Sequence, residues 1–206
     1  PTHEFYIEES FPLDWMYPHL TPYGIIMKIE RNPVPEITEE MVRRDHEYWS
    51  QYSERFIGNW INYETPVREV CDWALKTYLQ RDLTGFKGDP AFVRDDNAQK
   101  AFSKLRNAIG KSIYATRISS PPASPQVQQR MIKEAEFALK QAFAFCPYSP
   151  ETVFNYSQLL ATIGRYDEAL MVAKTCEIFD ADNLGIRNLV EQLEGIQKGA
   201  APTANA

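Results

Sequence analysis

The stretch from Pro150 to Asn183 constrains the fold of this chain more than any other. It reads as two helices of one hairpin, about 34 residues in all, with small residues where the helices must touch. Gly164 ends the first helix and Tyr166-Asp-Glu-Ala-Leu170 opens the second. Ala169 supplies the small residue at the helix crossing, and Cys176 the small position near the end of the second helix. The preceding segment repeats the pattern in its second half: Glu134-Ala135 aligns with Glu168-Ala169, and Ala142 with Cys176. Pro147 stands at the turn, where the later copy has Ala181. Downstream, Ile186, Leu189, Val190, Leu193 and Ile196 mark one face of a helix spanning 184–198, either the first helix of a third unit or a cap. A helical hairpin cannot bury its apolar face alone, so about three stacked units are needed and the earlier helices must complete the stack.

These features resemble the tetratricopeptide repeat. The expected fold is mainly α, with helical hairpins stacked as a tetratricopeptide-like α-solenoid and a short β element at the N-terminus. First-helix residues line the concave face of such repeats, which here selects Glu151, Phe154, Asn155 and Gln158, then Asn188 and Gln192. The groove so formed is polar, with one aromatic. Asn155 stands where carboxylate-clamping repeats carry an asparagine, but the lysines of such a clamp are absent from these positions, so carboxylate capture is not expected. The plain alternative is a helical spacer that binds nothing.

Four segments are expected along the chain. Residues 1–31 form a β and aromatic-loop segment, in which Glu4–Glu8 and Ile25–Ile29 are strand-like and the intervening loop is rich in proline and aromatics. Residues 32–120 are helical. Thr38 caps a helix that stops at Gly58, with Glu39 and Glu40 in its first turn. Thr65-Pro66 opens the next, with Pro66 at its first helical position, and a third runs from Asp96 to Ile118. Residues 121–198 hold the repeats and the capping helix, and 199–206 form a disordered tail.

Composition narrows the function classes. The net charge of −6 disfavours nucleic acid, whose phosphates call for clustered Lys and Arg. No apolar run reaches the roughly 18 residues of a membrane span. The first residue is Pro and no signal peptide is visible, which suggests a portion of something longer. Cys71, Cys146 and Cys176 lie in apolar helical patterns and are expected as buried thiols.

Asp180, Asp182, Gly185 and Glu191 fall at calcium-loop positions, but Leu184 and Arg187 break the pattern. Gly110-Lys111-Ser112 ends like a phosphate loop but lies in an expected helix. Asn155-Tyr-Ser157, a formal glycosylation sequon, also falls in a helix. Asp45-His46-Glu47 and Arg43-Arg44 are expected on a solvated helix face, since adjacent helical residues point in different directions. No metal site and no cofactor are expected. Glu8, Glu9 and Asp14 lie near the aromatic loop and would be the carboxylates of a hydrolase, the least favoured class. Trp15 and Tyr17 suit stacking on a sugar or a peptide, although packing of their loop on the helices is favoured.

The stretch Tyr6-Ile-Glu-Glu-Ser-Phe-Pro-Leu-Asp-Trp-Met-Tyr-Pro-His-Leu-Thr-Pro-Tyr-Gly-Ile-Ile-Met-Lys-Ile29 and the segment Arg44-Asp-His-Glu-Tyr-Trp49 resemble parts of a family of large bacterial multi-span membrane proteins related to protein O-mannosyltransferases. In that family the segment follows the membrane spans and leads into a soluble C-terminal helical region, often with tetratricopeptide repeats. The resemblance implies an extracytoplasmic domain attached to a parent membrane domain. It assigns no catalytic residue here, because the family's presumed active site lies in the membrane part. The expected function is therefore non-catalytic protein–protein interaction or scaffolding, with a protein or peptide partner. The alternative is an accessory glycan-binding module of a membrane glycosyltransferase.

Overall fold

The computed structural model describes residues 3–8, 13–118 and 124–200, with only the backbone at residue 200. Glu9, most of the Pro/Ser loop at 119–125 and all but the first two residues of the expected tail lie outside the described residues. The protein is mainly helical with one small antiparallel sheet.

The sheet has the order β1–β3–β2, built from β1 (Phe5–Ile7), β2 (Leu20–Tyr23) and β3 (Ile26–Ile29). β2 was not foreseen, because Pro22 and the surrounding prolines read as loop. It survives because a strand at the sheet edge does not need every N–H to pair inward. Gly24, at φ +66°, makes the turn from β2 to β3. The register sets Leu20 opposite Ile29 and Pro22 opposite Met27. Alternation then gives Leu20 and Met27 to the core, and puts Thr21, Tyr23, Ile26 and Lys28 on the other face. A 3-10 turn, Asp14–His19, replaces part of the expected loop.

Helix α1 (Glu39–Ile57) begins and ends as the sequence predicts. Thr38 Oγ1 accepts from the Met41 amide at 3.3 Å, and Gly58 closes the helix in the left-handed conformation at φ +85°. Helix α2 (Val67–Ala74) starts one residue later than expected, with Pro66 as its cap, and runs on as a π-helical turn, Leu75–Leu79. The expected 96–118 helix is continuous but not uniform. It consists of α3 (Asp96–Ala108), a π-helical segment Ile109–Ala115, and α4 (Thr116–Ile118). Gly110 lies in the π segment, where a Cβ would come within 3.0 Å of Leu139, so the missing side chain lets the neighbouring helix approach.

Helices α5 (Pro125–Phe145), α6 (Pro150–Thr162), α7 (Tyr166–Phe179) and α8 (Leu184–Ala200) follow, each packed on the next. Gly164 turns the chain between α6 and α7 at φ +80°, and Ala169 is fully buried where they cross. Ser157 on α6 donates to the Ala169 carbonyl at 3.2 Å, a contact that only two small side chains permit. α3 and its π segment pack on α5, and α2 packs on α5 and α7. One hydrophobic cluster runs from Leu20 and Met27 through Trp49, Ile113 and Phe143 to Val190 and Leu193, joining sheet and helices.

Candidate functional site

The predicted groove residues divide into two groups. Glu151 and Asn155 face α3, not solvent alone: Asn155 Nδ2 donates to Asn107 Oδ1 at 3.0 Å, and Asn107 Nδ2 donates to Glu151 Oε1 at 3.4 Å. Phe154, Gln158, Asn188 and Gln192 remain exposed on α6 and α8. Phe154 is 39% exposed and its ring edge lies against Gly185 at the start of α8. Beside this strip is a cleft of about 290 Å³ with Leu139, Leu159 and Ile118 among its lining. Lys111, Asn155 and Gln158 also line it. Lys111 reaches this cleft from the π segment Ile109–Ala115.

Trp15 and Tyr17 part company. Trp15 is 61% exposed, with its ring edge-on to His19. Tyr17 packs against the core, and its carbonyl accepts from Arg117 Nη1 at 2.8 Å. Arg117 Nη2 also donates to the carbonyls of Pro18 and Leu20, at 3.1 and 3.2 Å, so one buried guanidinium clamps the aromatic segment to the helical body. Glu8 and Asp14 are exposed. Asp180 and Asn183 serve the turn before α8, where Asn183 Oδ1 accepts from the Ile186 amide at 3.2 Å and its amide donates to Asp180 at 3.1 Å.

The expectation of a solvated face at Asp45 and His46 is overturned. Arg43 and Arg44 are exposed and pair with Glu40, but Asp45 is buried. Asp45 Oδ2 accepts from Arg106 Nη1 at 2.8 Å and from the Tyr114 hydroxyl at 2.9 Å, with both charged side chains fully buried. Arg106 Nε donates to Gln141 at 2.9 Å, and its guanidinium lies 5.1 Å from the Trp49 ring centroid. His46, the next residue, points to a second cluster. Its Nε2 donates to Glu134 at 2.7 Å, the Tyr63 hydroxyl donates to the other Glu134 oxygen at 2.7 Å, and Phe137 lies under the imidazole. Burial and the Glu134 charge push the Tyr63 phenol well up. Lys140 is buried too, and its ammonium donates to the carbonyls of Tyr63 and Thr65 at 3.2 and 2.7 Å; burial pulls its pKa down.

These groups mostly answer one another across helices. The three thiols are buried and free, as expected, and burial pushes Cys71 up to about 11 and Cys146 and Cys176 each up to about 12. None of the three is a ready nucleophile at neutral pH. Among the described residues, no three His, Cys, Asp or Glu side chains gather as a metal set. No protein-family model, curated protein or solved structure matches the chain.

Proposed function

We propose that this chain is a non-catalytic interaction module that holds a protein segment along α6 and α8, with its helical hairpins acting as a tetratricopeptide-like stack. The observation that carries this is the exposed strip of Phe154, Gln158, Asn188 and Gln192 beside the cleft that Lys111, Asn155 and Gln158 line. An aromatic anchor flanked by amides gives a partner apolar contact and backbone hydrogen bonding without any reacting group. The 34-residue pattern, the small pair Ser157 and Ala169, and the packing of α5 to α8 in series support the stacked arrangement. Following the resemblance at Tyr6–Ile29, the module is proposed to belong to a bacterial membrane protein and to face away from the cytoplasm. Among the described residues no helix is long and apolar enough to cross a membrane.

A photo-crosslinking residue at Gln158 tests this reading in solubilised bacterial membranes. A defined protein adduct that is lost on Phe154→Ala supports it. Adducts unchanged by Phe154→Ala, or none, favour a spacer. A glycan-binding role keeps one favourable observation, the exposed Trp15 indole. That role requires sugar quenching of tryptophan fluorescence that disappears in Trp15→Ala.

A further inference from the structure

We infer that the segment held along α6 is acidic and apolar together, with an Asp or Glu side chain on Lys111 and an adjacent apolar side chain in the cleft beside it. The inference rests on the reading of α6 and α8 as a partner-holding strip, and it names the class of segment held there. The cleft is walled by the π segment, α5 and α6. Leu139 from α5 and Leu159 from α6, both buried, give it an apolar floor, with Ala115 beside them. Asn155 and Gln158 form its polar edge, three residues apart on one helix face. The volume of about 290 Å³ falls just below the roughly 300–1,000 Å³ usual for small-molecule sites. It therefore suits one or two side chains of a peptide better than a free ligand.

The sign of the partner's charge follows from Lys111. It carries the only charge among the residues that line the cleft, and no carboxylate lines it. Lys111 is exposed, and among the described residues no ion pair engages it. An ammonium at the mouth of an apolar pocket attracts a carboxylate and repels a cation. The chain as a whole is acidic, with a net charge of −6, so an acidic segment is repelled by much of the surface and drawn to this point. The acidic and apolar parts must be neighbours in the segment. Gly110, the residue before Lys111, lies against the floor: a Cβ there would come within 3.0 Å of the Leu139 side chain. The π segment supplies both Lys111 and Ala115 to the lining, and π-helical turns recur at functional sites. Asn155 donates one N–H to Asn107, and Gln158 is exposed; their remaining donors and acceptors suit a peptide main chain. A clamp for a chain end calls for several cations, and this cleft has one. The carboxylate is therefore assigned to a side chain within the segment.

The test is selection of a random peptide library on the whole chain, with each peptide fused at both ends so that none has a free C-terminus. The enriched peptides are expected to share an Asp or Glu next to, or next but one to, Leu, Ile, Met or Phe. Binding of the best of them, read by fluorescence anisotropy, should weaken about two- to fivefold in Lys111→Met, the scale of an exposed ion pair. It should weaken further in Lys111→Glu, and also with rising salt. Lys133→Glu makes the same change of charge at an exposed position of α5 outside the cleft and should leave binding unchanged. Selection on the Lys111→Glu chain should instead enrich Lys or Arg at the acidic position. Because Lys111 is exposed, its variants keep the fold. Enriched peptides without an acidic residue, enrichment only in a parallel library with free C-termini, or no enrichment at all would overturn the acidic assignment. Peptides that are lost on Phe154→Ala but bind Lys111→Glu at full affinity would overturn it too, while leaving the α6–α8 reading standing. The Gln158 crosslink judges that reading by itself.

Discussion

At the scale of single residues, the Asp45–Arg106 pair dominates. Both side chains are fully buried, so each depends on the other for its charge to be tolerated. Asp45→Ala is expected to cost about 3–5 kcal/mol, because it strands the guanidinium in the core. The double change Asp45→Leu with Arg106→Met should recover most of that loss, since apolar replacement of a buried pair is often neutral or stabilising. Urea unfolding of the singles and the double measures this; a double variant no better than the singles would mean that the two sites do not act as a pair. The carboxylate was partly legible in the sequence. Asp45 lies four residues from both Met41 and Trp49, inside the stripe that continues to Tyr52 and Phe56, where a solvated charge does not belong. Arg106 likewise sits between Phe102 and Ile109. What the sequence could not supply was the pairing, because 61 residues separate the two and only the packed fold brings them together. The thiols carry a second residue-scale expectation. Cys146 and Cys176 are pushed up to about 12 from 9.0 by burial, and Cys71 to about 11. In the unfolded chain they ionise near their ordinary value, while the folded chain keeps them protonated. The stability they contribute is therefore full below about pH 9 and is lost as pH rises toward 11–12. Native protein at pH 8 should react with a thiol-selective disulfide reagent only as fast as it unfolds, and the urea midpoint should fall between pH 9 and 11.

At the scale of elements, the helix boundaries were the most readable part, because caps are local chemistry. Thr38, Gly58 and Gly164 each act where the pattern puts them. The strand Leu20–Tyr23 was hidden because its residues are set by pairing with β3 and not by local preference. The glycines test how far element packing is fixed by close approach. A Cβ at Gly88 would lie 2.2 Å from the Phe56 carbonyl oxygen, a backbone atom at the end of α1 that has no room to move. At Gly110 the nearest atom is a Leu139 side-chain carbon at 3.0 Å, which can give way. At Gly195, on α8, nothing lies within 4 Å. Alanine at these positions should thus rank in order. Gly88→Ala should be the most destabilising, Gly110→Ala milder, and Gly195→Ala stabilising by about 0.5–1 kcal/mol through helix propensity. Thermal midpoints of the three variants decide the ranking, and a neutral Gly88→Ala would show that the 86–90 turn does not press on α1.

At the scale of the whole molecule, the question is whether the N-terminal sheet is an appendage or part of the helical body. The sequence sets residues 1–31 apart by composition, yet Leu20 and Met27 lie in the same hydrophobic cluster as Trp49 and Ile113. The link that holds them is Arg117. Its guanidinium donates to three carbonyls of the Tyr17–Leu20 segment, and burial pulls its pKa down. Among the described residues this buried cation is held by neutral carbonyls, and its value lies in closing carbonyls that would otherwise be buried without donors. Arg117→Met keeps the packing of the stem and removes all three hydrogen bonds. It should loosen the attachment of the sheet without disturbing the distant hairpin. Hydrogen exchange is expected to speed up in residues 14–29 and along the part of α1 that the hairpin covers, while α6, α7 and α8 keep their protection. The same variant should retain crosslinking at Gln158. Uniform loss of protection through α6–α8 would mean instead that sheet and helices unfold as one cooperative unit, and that the groove depends on the N-terminal segment for its shape.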